Sequence, residues 1–143
     1  MINVEWKGGM AFESTPTTGV KFSMGETADG TAVGPFPMET LLSAIAGCAG
    51  MDVISILEKK RQKVTGYRIE IDGTRPPKDE YPRPYLTLTM RHILNGEDLD
   101  PVAIERAIQL SDEKYCSVLA TLRAAPSVKS EYVIEEREAI GNL

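Results

Sequence analysis

The sequence predicts an α+β domain of mostly antiparallel strands and two helical regions, and three observations predict it. Residues 37–63 hold a long apolar run at helical spacing, ending in a basic cluster. Two later segments, "YRIEIDG" and "YLTLTMRHILNG", alternate apolar and polar residues with the period of a half-buried strand. Asp100 followed by Pro101 then opens a second helical pattern. At 143 residues, with 42% hydrophobic and 26% charged side chains, the chain fits one domain, residues 1–143, large enough to bury a core. It carries no internal repeat and no low-complexity tract.

The elements follow in order. "NVEWKG", "MAFEST" and "VKFSM" read as short strands of an opening meander, punctuated by Gly8, Gly9, Pro16 and Gly19. "GETADGTAVGPFP", with three glycines and two prolines, is a loop. Pro37 suits the first helical position, and Glu39 in the first turn suits the positive end of the dipole. The central helix is expected to stop near "VTG", with Gly66 as its cap. "TRPPKDEYPRP" packs four prolines into eleven residues, so it is a stiff extended loop. In the strand after it, Leu86, Leu88 and Met90 share a face, and His92 is read as a surface residue at the strand end. "PVAIERAIQLSDEKYCSVLATLRAA" continues as helix with a break near Ser111, itself a plausible second cap, and "SVKSEYVIEE" closes the chain as a strand.

The central helix poses the functional question. Cys48, Asp52 and Ser55 fall at i, i+4 and i+7 and form one polar stripe, while Leu41, Leu42, Ile45, Val53, Ile54, Ile56 and Leu57 cover most of the rest. Only enclosure in a core or between subunits hides that much hydrocarbon, so a homodimer is expected. A carboxylate kept there needs hydrogen-bond partners or a chemical role. Cys116 sits in polar company, "SDEKYCS". Each thiol is either a small buried hydrophobe or half of a redox couple.

Composition narrows the partners. A formal net charge of -5 argues against nucleic acid. The basic cluster Lys59, Lys60, Arg61 and Lys63 complements the negative end of the helix dipole. No leader-like apolar segment opens the chain, and the apolar run from Leu41 to Met51 is interrupted by Asp52, so a cytoplasmic protein with no membrane partner is expected. With no CxxC pair and a single histidine, no metal site is expected.

"GPFPMETLLSAIAGCAGMDVISILEKKRQKV" followed by "AIQLSDEKYCSVLATL" resembles the OsmC/Ohr family of thiol-dependent peroxidases, in particular its OsmC-like branch, over roughly residues 18 to 136. The resemblance implies sheets from both chains wrapped around two central helices of an intertwined homodimer, with active sites at the interface. It also implies cysteine-based reduction of organic hydroperoxides, with Cys48 as the peroxidatic thiol and Cys116 as the resolving one. No bound cofactor is implied, only an external thiol or lipoylated dithiol reductant.

Departures from the family pattern define the supporting candidates. The family's glutamate, ten residues before the peroxidatic cysteine, is replaced by Met38; the neighbouring acid is Glu39, and no arginine precedes Arg61. Nine residues of helix put Glu39 on the face opposite Cys48, so it is either a first-turn acid or a catalytic one. Lys21 and Arg83 are the candidates to replace the arginine, and Asp52 is expected to be held by hydrogen bonds. The alternative is a catalytically weak OsmC-like dimer, acting as an apolar-ligand-binding or stress-associated protein.

Overall fold

The computed structural model describes residues 1–135. Strands β1 (Asn3–Trp6), β2 (Phe12–Thr15) and β3 (Phe22–Met24) form an antiparallel meander. Helix α1 (Pro37–Lys59) follows, then β4 (Lys63–Thr74) and β5 (Thr87–Glu97), which pair antiparallel as a second sheet. The chain continues into α2 (Pro101–Leu110), a π-helical turn (Ser111–Tyr115) and α3 (Ser117–Ala124). Mixed α and β with antiparallel sheets is therefore the observed class.

Local chemistry accounts for most boundaries. The Asp100 side chain accepts a hydrogen bond from the Val102 amide at 2.9 Å and caps α2. At the start of α1, Glu39 reaches back to the Phe36 amide at 2.7 Å, the return half of a capping box. The helix ends earlier than the sequence suggested. Arg61 takes a left-handed φ of 56°, its N–H bonds the Glu58 carbonyl at 2.9 Å, and the Gln62 N–H bonds the Leu57 carbonyl at 3.0 Å. This pair of bonds is a Schellman motif with arginine where glycine is usual. Gly66 is instead inside β4, beside the register shift between Val64 and Gly66, where an added Cβ would lie 3.3 Å from the Asn95 side chain.

One stripe of α1 is buried within the chain: Ile45, Ala49, Val53 and Leu57, each four residues on. Val53, Leu57 and Ala107 of α2 form the core cluster, against which Val64, Tyr67, Leu94, Ile104 and Ile108 pack. Burying a side chain the size of Val53 or Leu57 contributes about 1.5–3 kcal/mol. Full enclosure of α1 is not achieved by one chain: Met51 is 75% exposed, and Leu41, Leu42 and Ile54 are only half-buried. By length and composition α1 is apolar enough to cross a membrane, despite Asp52; here it is the core helix, packed on β4 and α2.

Two further expectations are corrected. The closing strand does not form over residues 127–135, and Glu136 lies outside the described residues. Val128, Tyr132, Val133 and Ile134 are each at least 80% exposed, so this segment meets no strand edge with which to build a ladder. His92 is not at a strand end. It lies inside β5 opposite Ile69, half-buried, with its Nδ1 2.6 Å from the Tyr67 hydroxyl.

Candidate functional site

Helical spacing places Cys48 and Asp52 one turn apart on α1, and the π-helical turn carries Cys116 to them. The Cys116 N–H bonds the Ser111 carbonyl at 2.9 Å, five residues back. That wider turn ends the helix, leaves Cys116 extended at the N-cap of α3, and aims its side chain at α1. The two sulfurs and an Asp52 carboxylate oxygen all lie within 4.8 Å of one another. Both thiols are free; Cys48 is half-buried and Cys116 buried.

Asp52 is satisfied by a residue that the sequence offered only as a helix cap. The Ser111 hydroxyl donates to Asp52 Oδ2 at 3.1 Å and lies 3.5 Å from the Ala49 carbonyl. Ser111 has no exposed surface, so this hydroxyl is a fixed partner rather than a solvated one. Its only signal in the sequence is its place at the helix break. Among the described residues no Lys or Arg forms an ion pair with Asp52.

Burial pushes the Cys116 thiol above its ordinary pKa, and the neighbouring Cys48 sulfur adds to the rise; the Leu119 and Val118 amides at the start of α3 oppose it. The protonated form of Cys116 is therefore favoured.

The remaining candidates do not gather at this triad. Glu39 is bound to the start of α1, as described. The Lys21 ammonium is 2.9 Å from Glu13 in the meander. Arg83 donates from Nε and Nη2 to the Pro76 carbonyl, at 3.1 and 2.9 Å, and so braces the proline loop. That loop walls a groove of about 640 Å³, lined by Arg75, Arg83, Tyr81 and Tyr85 with Met38, Leu41, Leu88 and Leu122. Neither cysteine lines the groove. Leu41 precedes Cys48 by seven residues, which places it on the same helix face roughly 10 Å away.

A second cluster lies beside Asp112 of the π-helical turn. Tyr67 and His92 stack with centroids 6.0 Å apart, beside a groove of about 450 Å³ that His92, Asp112 and Arg123 help to line. Burial, with the nearby Asp112 charge, pushes the Tyr67 hydroxyl up to about 12. Burial lowers the His92 pKa while Asp112 opposes the shift.

Comparisons with known proteins agree with this architecture. The family model described as "OsmC-like protein" matches residues 28–131. Protein YhfA of Escherichia coli (strain K12) is 35% identical over 131 residues, covering 92% of this chain and 95% of that protein. A hypothetical protein from Aquifex aeolicus VF5 is 33% identical, with a TM-score of 0.71 over 87% of each chain. The organic hydroperoxide resistance protein OhrB of Bacillus subtilis shares the fold at 20% identity, with a TM-score of 0.54 over 85% of this chain and 88% of that one.

Proposed function

The chain belongs to the OsmC-like protein family, and from that premise we propose that it is a two-cysteine reductase of organic hydroperoxides in oxidative-stress defence. One observation carries the reading: two free thiols, held on different helices, lie within 4.8 Å. The half-buried Cys48 is the attacking residue. Its thiolate takes the distal oxygen of the peroxide, the O–O bond breaks, and the alkoxide leaves as the alcohol after protonation, with Cys48 oxidised to a sulfenic acid. Cys116, buried and held protonated until then, attacks that sulfur; a disulfide forms and water departs. An external thiol or lipoylated dithiol restores both thiols by exchange. Such a cycle suits the reducing cytoplasm, where thiols persist.

The proposed working form is a homodimer. One chain leaves Met51 of α1 and Val4, Trp6, Phe12 and Phe22 of the meander exposed. A second copy over α1 and the meander would cover these side chains.

A second reading rests on the proline-loop groove. It is mostly apolar, carries two arginines and excludes both cysteines, which suits a catalytically weak dimer that binds an apolar ligand. Peroxide consumption with dithiothreitol or dihydrolipoamide separates the two. The peroxidase reading expects turnover that Cys48→Ser abolishes, whereas Cys116→Ser permits one attack and stalls at the sulfenic acid. Because Lys21 and Arg83 are engaged elsewhere, turnover should be slower than in relatives with the full Arg and Glu pair. No turnover by the wild-type protein would leave the binding reading.

A further inference from the structure

The sequence argued against a metal site because it has no CxxC pair and a single histidine. The fold removes that objection. Two sulfurs and one carboxylate oxygen converge within 4.8 Å, drawn from an i, i+4 pair on α1 and the N-cap of α3. Ionised, these groups would put three negative charges together, and none of the described Lys or Arg side chains is ion-paired with Asp52. A cation at their centre resolves that repulsion. Zinc bonds of about 2.3 Å to sulfur and 2.0–2.2 Å to oxygen put tetrahedral donors roughly 3.5–3.8 Å apart, so modest side-chain rotations close the set.

We propose that the reduced Cys48 and Cys116 thiols and Asp52 form a binding site for a thiophilic divalent ion, Zn²⁺, which the disulfide form of the protein cannot bind. Binding releases two thiol protons and forms two Zn–S bonds and one Zn–O bond. Three protein donors leave a fourth position for water or an exogenous ligand. Ser111 serves as a positioning residue: its hydroxyl holds Asp52 Oδ2 at 3.1 Å, as outer partners of ligating carboxylates do. Oxidation of the dithiol by a hydroperoxide or another two-electron oxidant consumes both sulfur donors, so the ion is released as the disulfide forms. This coordination rests on donor geometry and is independent of the peroxidase reading.

The test is a Zn²⁺ titration of the reduced full chain against a chromophoric chelator, without peroxide, with Co²⁺ as a spectroscopic probe. One ion per chain is expected, together with thiolate-to-Co²⁺ charge-transfer absorption. Cys48→Ser and Cys116→Ser should each weaken binding more than about 100-fold, and Ser111→Ala about 10-fold or more. Wild-type protein oxidised with diamide should bind none, and this comparison needs no substitution that might disturb folding. Equal zinc affinity before and after oxidation, or no affinity in the reduced protein at micromolar concentration, overturns the site. Turnover without zinc affinity would reject the metal site alone, and zinc affinity in a protein without turnover would reject the peroxidase reading alone.

Discussion

At the scale of single residues, the site separates two thiols of one chemical type by environment. Burial raises the pKa of Cys116, and each unit of elevation cuts its thiolate fraction about tenfold. Cys48 is the more accessible. With limiting iodoacetamide near pH 7.5, peptide mapping should therefore find Cys48 alkylated well before Cys116; equal labelling would remove this basis for their roles. His92 makes a separate prediction. Its pKa in the folded chain is lowered from 6.5, by burial first, with Asp112 opposing. Between the folded value and 6.5 the unfolded chain binds more protons, so this contribution is full above about pH 6.5 and is lost as pH falls through the folded pKa. Melting temperature should then drop more steeply from pH 7 to 5 in the wild-type protein than in His92→Gln, and parallel profiles would contradict this.

Elements owe their limits to backbone chemistry. Helix α1 stops at a Schellman motif whose left-handed position is Arg61, at a φ of 56°. A side chain there costs roughly 1–2 kcal/mol that glycine avoids, part of it returned as the greater entropy of glycine in the unfolded chain. Arg61→Gly should stabilise the protein by about 0.5–1 kcal/mol, read as a higher urea midpoint at an unchanged m-value. A lower midpoint would mean that the arginine side chain makes compensating contacts. The π-helical turn has the larger functional effect, because it sets Cys116 at an N-cap facing Cys48, while Ser111 at its start holds Asp52.

The whole molecule is an unfinished surface as a single chain. One stripe of α1 is covered by β4 and α2, and Met51 on another face is 75% exposed. The meander exposes Val4, Trp6, Phe12 and Phe22 by 40% or more. Hydrocarbon on this scale is stable in water when another surface covers it. Light scattering at micromolar concentration should report a dimer, and Met51→Glu should shift it toward monomer; a stable wild-type monomer would refute the assembly.

Much of this was legible in the sequence, because it depends on neighbours along the chain. Period-two alternation marks β4 and β5, the proline-rich loop can only join them, Asp100 and Pro101 announce α2, and the break at Ser111 is where the π-helical turn begins. Helical spacing alone also put Cys48 and Asp52 on one face. The rest was decided by tertiary contact. The Gly66 cap lost to Arg61, since the reversal into β4 requires a left-handed residue five positions earlier. The closing segment, a strand by its residue types, pairs with no sheet edge over residues 127–135, because a strand is defined by its neighbour rather than by its own pattern. The Ser111 hydroxyl meets Asp52, 59 residues away, only because α2 packs on α1. The approach of Cys116 to Cys48 likewise depends on that packing and on one widened turn; spacing along the chain carries no trace of it, since such a contact exists only once the two helices are docked.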